Sequence, residues 1–140
     1  MAIRGNFSNK EVKFIQLYTN LYFIDKWGFV KNAVDTNGVY HDVTKISTDT
    51  SCSSSGCTLT ETIGIDLSLD FLKNNQNGFE IKAFGTREKI INVPSVMIKS
   101  FLKAYFIRAF KKLSILLTDL SANNSFFNTD FVFFNSKVNF

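Results

Sequence analysis

Residues 57–67, Cys57-Thr58-Leu59-Thr60-Glu61-Thr62-Ile63-Gly64-Ile65-Asp66-Leu67, alternate apolar and polar side chains with a period of two. Leu59, Ile63, Ile65 and Leu67 fall on one face, and Thr58, Thr60, Thr62 and Asp66 on the other. That is the pattern of a strand with one side on a core and the other in water. Glu61 breaks it, a carboxyl group on the apolar face, and is expected at a strand edge or rim position.

Immediately upstream, Ser53-Ser54-Ser55-Gly56 reads as a turn between two β-like runs. If those runs pair as a hairpin, Cys52 and Cys57 lie opposite one another. Directly opposed Cβ atoms sit roughly 4.5–5.5 Å apart, close to what a disulfide needs. Closing so short a loop stabilises by only about 2 kcal/mol in the chain-entropy model. Two free thiols are the other outcome these residues allow. The spacing is not CxxC, and two thiolates with the single His41 leave a tetrahedral zinc site a ligand short.

Further upstream, Val12–Ile24 is rich in β-branched and aromatic residues and reads as a strand, with a helix as the alternative. Residues 27–34 read as a second strand and 39–48 as a third. Asp35-Thr36-Asn37-Gly38 between them supplies the positive φ angles of a tight hairpin. Downstream, Ser68 is placed to cap a short helix near 68–75, and two further strands are expected at 79–84 and 89–93. Pro94 suits the first turn of a helix. Ile98, Phe101, Leu102, Tyr105, Ala109, Leu113 and Leu116 then recur at helical spacing, and that stripe is expected to lie across the sheet.

The sum is an α+β chain: a small antiparallel β-sheet domain of about six strands, one short helix near 68–75, and a C-terminal amphipathic helix from about 94. Its expected organisation is a loose N-terminus over 1–10, a single β-rich domain over 11–117, and a Phe/Asn-rich, poorly ordered tail over 118–140.

The chain has 140 residues, 45% of them hydrophobic, enough for one self-sufficient core. Its 16 Phe, 14 Asn, 13 Lys and 12 Ile share AT-rich codons. Coding bias accounts for them, which weakens any argument from aromatic or lysine content to binding. The net charge of +4 accompanies no recognised nucleic-acid module, and no nucleic-acid partner is expected. The apolar stretch 101–117 is interrupted by Lys103, Arg108, Lys111 and Lys112 and is too short to span a bilayer. No secretory h-region can be drawn at the start of the chain, which as written places it in the cytoplasm.

Reactive constellations are missing from the sequence. His41 is followed by Asp42, but adjacent strand residues point to opposite faces, so Asp42 cannot orient the imidazole. His41 is expected to be a partly exposed strand residue. Residues 35–38 fail as a calcium loop, because Ala33 and Thr44 would fall at ligand positions. Glu61, Asp66 and Asp70 show no spacing that singles out an acid–base pair, and no glycine-rich phosphate loop is present. We expect no enzyme activity, no cofactor and no metal. The one feature with functional colour is the basic helix: Lys99, Lys103, Arg108, Lys111 and Lys112, with no acid before Asp119. Such a helix is either an ordinary core-packing element with a solvated side, or a weak membrane-surface or protein contact.

Residues 42–102 resemble small bacterial envelope proteins, often lipoproteins, for which no activity is known. The matching pieces are Asp42-Val43-Thr44-Lys45-Ile46, the Cys52/Cys57 pair, Thr60-Glu61-Thr62-Ile63-Gly64-Ile65, Leu67-Ser68 with Phe71-Leu72, Gly78-Phe79-Glu80-Ile81, Gly85, and Val93-Pro94 before Phe101-Leu102. The resemblance implies a β-rich domain in a periplasmic or outer-envelope, oxidising compartment, and no functional residues to carry over. The chain departs from that pattern by lacking a signal and by running on past Leu102. It is therefore expected to be a fragment or frame-altered product of a longer gene.

Overall fold

The computed structural model describes residues 1–8 and 11–122, with side chains placed for 1–6 and 13–111. Nine elements follow one another: β1 (Ala2–Ser8), β2 (Glu11–Ile24), β3 (Asn32–Asp35), β4 (Tyr40–Ser53), β5 (Gly56–Asp66), α1 (Leu69–Asn74), β6 (Gly78–Phe84), β7 (Glu88–Pro94) and α2 (Ser95–Ala122). The strands form one sheet in the order β1-β2-β5-β4-β3-β6-β7, with every neighbouring pair antiparallel. The α+β class and the C-terminal helix match the sequence expectation, with seven strands in place of six.

The alternation in residues 57–67 organises the fold. Ile63 and Ile65 are fully buried, and β5 lies between β2 and β4. Its register sets Ile65 opposite Leu17 and Leu59 opposite Phe23, so the odd-numbered residues of β2 join the same apolar layer. Ile81 and Ala83 from β6, Ile91 and Val93 from β7, and Leu72 from α1 complete it. Ile98 and Leu102 add the first turns of α2. A core gathered from both halves of the sheet and two helices is what lets a short chain bury enough apolar area to hold one structure.

Local chemistry sets the boundaries. Gly38 has φ +80 in the β3–β4 turn, as the Asn-Gly dipeptide requires, and its N–H donates to Asp35 O at 3.1 Å. Ser68 is the N-cap of α1, its Oγ accepting from Phe71 N at 3.0 Å. Pairing of β4 with β5 shifts register between Lys45 and Ser47, leaving Ile46 as the extra residue of a bulge.

Several expectations are corrected. Residues 2–8 are a strand paired with β2, not a loose terminus. Residues 25–31 form a loop rather than most of a strand, because the chain must there cross β5 and β4 to reach β3. Pro94 ends β7, and α2 begins one residue later. The helical stripe does not extend through Ala109, which is exposed; Leu113 and Leu116 lie beyond the described side chains. The chain divides into two compact units, Met1–Tyr105 and a second that begins at Phe106. The expected tail at 118–140 lies almost wholly outside the described residues.

Candidate functional site

Three places in the Met1–Tyr105 unit gather polar or reactive groups. The first is Glu61. Far from being a rim residue, it is 2% exposed in the middle of an inner strand. Its Oε1 accepts from Phe29 N at 2.7 Å and its Oε2 from Val30 N at 3.0 Å. The carboxyl group thus anchors the backbone of the 25–31 loop, which explains why it survives on an apolar face. The loop needs an anchor: Asp25 (φ 61) and Phe29 (φ 46) both sit in the left-handed region. Each such residue costs on the order of 1 kcal/mol or more. Further ties come from Asp25 N to Cys57 O at 3.2 Å and Lys31 N to Phe84 O at 3.1 Å. Gly28 O accepts from Thr86 N at 2.7 Å. Here Gly85 packs so tightly that a Cβ on it would collide with the carbonyl of Phe29.

The second place is His41. Its ring is held by Asp35 and not by Asp42, because pairing puts Ala33 opposite His41 and Asp35 follows two residues along the same face. His41 Nε2 lies 3.4 Å from Asp35 Oδ2, and Nδ1 lies 3.2 Å from Asp66 O. Both ring nitrogens face acceptors, so a doubly protonated ring can donate to both and a neutral one to only one. His41 is a partly exposed strand residue, as expected, with its imidazole side chain 8% exposed. Phe71 packs edge-on against it at 4.9 Å between ring centroids. Asp35 Oδ1 also accepts from Asn37 N at 2.8 Å and Val39 N at 3.0 Å. Burial, the largest single influence, pushes the Asp35 carboxyl up. The hydrogen bonds from Val39, Asn37 and His41, with the charge of His41, outweigh it and hold the group below its usual value. This pair is wired into a turn and presents no free base.

The third place is a groove of about 750 Å³. Tyr22, Phe23 and Ile24 of β2 and Thr58 of β5 line one side, and Arg87, Glu88 and Lys89 the other. The guanidinium of Arg87 reaches Ile24 O at 3.1 Å, and Lys89 Nζ stands 5.5 Å from the Phe23 ring centroid. Among the described residues β1 accompanies β2 as far as Tyr18, Thr19–Ile24 pairs with β5, and β7 pairs with β6. The end of β2 and the start of β7 border one groove, which no sequence motif marks.

Cys52 and Cys57 form a disulfide across the β4–β5 hairpin, opposite one another as the turn spacing requires. Ser54 and Ser55 make the turn. Lys99 and Lys103 are exposed on α2 within the first unit; Arg108 and Lys111 are exposed on α2 in the second, and the Lys112 side chain lies outside the described ones. The structure does not bring the cysteines and these basic residues together into one site within the Met1–Tyr105 unit: the former cap a hairpin and the latter follow β7 along a helix. Among the described residues no cluster of three or more metal-ligating side chains occurs, and every buried side-chain nitrogen or oxygen has a hydrogen-bond partner. No family model, curated protein or solved structure matches the chain.

Two outcomes follow from this geometry. Glu61→Gln replaces one acceptor with a donor facing a buried N–H, and should lower unfolding free energy by about 2 kcal/mol in urea titration. Amide exchange at Phe29 and Val30 should quicken with it, and unchanged stability would contradict the anchoring role. For Asp35 the folded carboxyl titrates lower than the unfolded one, so its contribution is present above the unfolded value of about 3.9 and is lost as pH falls through the folded one. The stability gap between wild type and Asp35→Asn should be full at neutral pH and narrow below about pH 4; a gap that widens on acidification would refute this assignment.

Proposed function

We propose that the chain is a non-catalytic binding domain that takes an extended peptide into the groove between β2 and β7. The observation that carries this is the groove itself, lined by the exposed Tyr22 and Ile24 of β2 on one side and by Arg87, Glu88 and Lys89 at the start of β7 on the other. A strand edge with unpaired N–H and C=O groups is a template for an added strand. The exposed Tyr22 and Ile24 side chains favour apolar residues in the guest, and Arg87 with Lys89 favours an acidic one.

The reading places the domain in an oxidising compartment such as a bacterial envelope, where a disulfide like Cys52–Cys57 persists. The structural duties of the polar groups support a non-enzymatic role. Glu61 holds a loop, and Asp35 with His41 holds a turn.

Display selection of random peptides on the oxidised protein tests the binding reading. It should enrich sequences with alternating apolar residues and an acidic one, whose affinity drops roughly tenfold, about 1.4 kcal/mol, with Lys89→Glu. Bound peptide should slow amide exchange at Tyr22 and Ile24. Selection that enriches nothing, or peptides that leave those amides untouched, would remove the proposal. The compartment is tested separately by thiol titration of the isolated native protein: no free thiol is expected, and two would overturn it.

A further inference from the structure

We infer that the Cys52–Cys57 disulfide is a redox-sensitive fastener for the β2 wall of the groove, so that a dithiol reductant weakens the groove's hold on its peptide. The inference rests on the groove reading above and names its regulation. The disulfide lies near the tip of the β4–β5 hairpin. Cys57 and its neighbour Thr58 both support that wall. Thr58 lines the groove and stands opposite Ile24, the last residue of β2 and itself part of the lining. Cys57 O accepts from Asp25 N at 3.2 Å, which fixes the chain as it leaves β2 through a left-handed residue.

Little else fastens this end of the hairpin. From Thr44 to Ser53 every residue of β4 is exposed, so no apolar burial holds the strand there. Among the described residues β3 accompanies β4 over Tyr40–Asp42, and the rest of β4 pairs with β5. The bulge at Ile46 interrupts that pairing, and the turn bonds of Ser53 Oγ with Ser55 Oγ and Gly56 O lie in solvent. A two-stranded ribbon of this kind is marginal in water and opens locally at small cost. Cys52 is exposed and Cys57 half-buried, so a thiolate reaches Cys52 Sγ first. The step is thiol–disulfide exchange: one thiolate of the dithiol attacks Cys52 Sγ and Cys57 leaves as a thiolate. The second thiolate of the reductant then displaces Cys52 and closes the reductant's own disulfide. Two electrons pass to the protein sulfurs, and the two protons lost by the dithiol end on Cys52 and Cys57.

Amide exchange of the full chain before and after dithiothreitol tests the device without any peptide. Exchange at Asp25 should quicken about thirtyfold, the loop-closure contribution of so short a ring. Phe29 and Val30, bonded to Glu61 and not to the hairpin tip, should stay protected. Peptides selected on the oxidised protein should bind the reduced form about tenfold more weakly, as the competent fraction falls to about a tenth. Cys52→Ala with Cys57→Ala should match the reduced wild type and ignore dithiothreitol. Unchanged exchange at Asp25 would overturn the inference. So would equal quickening at Phe29 and Val30, which marks general destabilisation, or a peptide affinity that reduction leaves intact. If selection on the oxidised protein yields no peptide, the groove reading fails by itself, and exchange at Asp25 still decides whether the disulfide holds this wall.

Discussion

The hydrogen bonds from Phe29 and Val30 to Glu61 are the constraint on which the sheet depends. The chain must leave the end of β2, pass two strands, and re-enter as β3. That crossing uses backbone whose N–H groups would otherwise be buried without partners, with two residues held in left-handed conformations. A carboxyl group has two oxygens that accept without donating, so one side chain settles two adjacent amides at once. An apolar residue at position 61 would remove both of these bonds and leave the crossing to the ties at Asp25, Gly28 and Lys31. The polar exception in an otherwise regular strand thus fastens the crossing to the inner strand of the sheet.

With the crossing fixed, the remaining architecture is largely a matter of length. Among the described residues β1 partners β2 as far as Tyr18, β2 continues for another six residues against β5, and β7 partners β6. The sheet curls far enough that the end of β2 and the start of β7 border one groove, although they are far apart in strand order. Two long basic side chains reach across this groove, Arg87 to Ile24 O and Lys89 over the Phe23 ring. On the opposite flank, the β3–β4 turn is held by Asp35, whose single carboxyl group serves two backbone amides and one imidazole. Both devices follow one rule: acidic side chains inside this domain are committed to backbone rather than to one another.

Much of this was readable beforehand where the signal is local. The period of two in β5, the serine-glycine turn between the cysteines, the Asn-Gly turn and the Ser68 cap each depend on residues within a few positions of one another. The features that escaped depend on partners far along the chain. Glu61 looked like a rim residue because its acceptors' donors lie some thirty positions earlier, in a segment whose aromatic and β-branched content imitates a strand. In the sequence the nearest carboxylate to His41 is Asp42, whereas the residue that meets it lies six positions back across a turn. β1 carries little sequence signal because a polar strand at a sheet edge needs little apolar content; its partner supplies the burial. The reach of the core into α2 was overstated because periodicity records which side chains could share a face, not how far a neighbouring surface extends beneath them.

The β4–β5 hairpin bears on how the chain comes to be folded. Its partners, from Ser53 opposite Gly56 outward to Val43 opposite Ile65, are close in sequence, whereas β2 meets β5 only across a much longer stretch of chain. Closing a short loop forfeits little chain entropy, and hairpins assemble in microseconds. Like the β1–β2 and β6–β7 hairpins, this ribbon is able to form on its own local contacts, before β2 joins β5. Its two sulfur atoms are brought together at that stage, so oxidation records a local event and can precede the long-range pairing that completes the sheet.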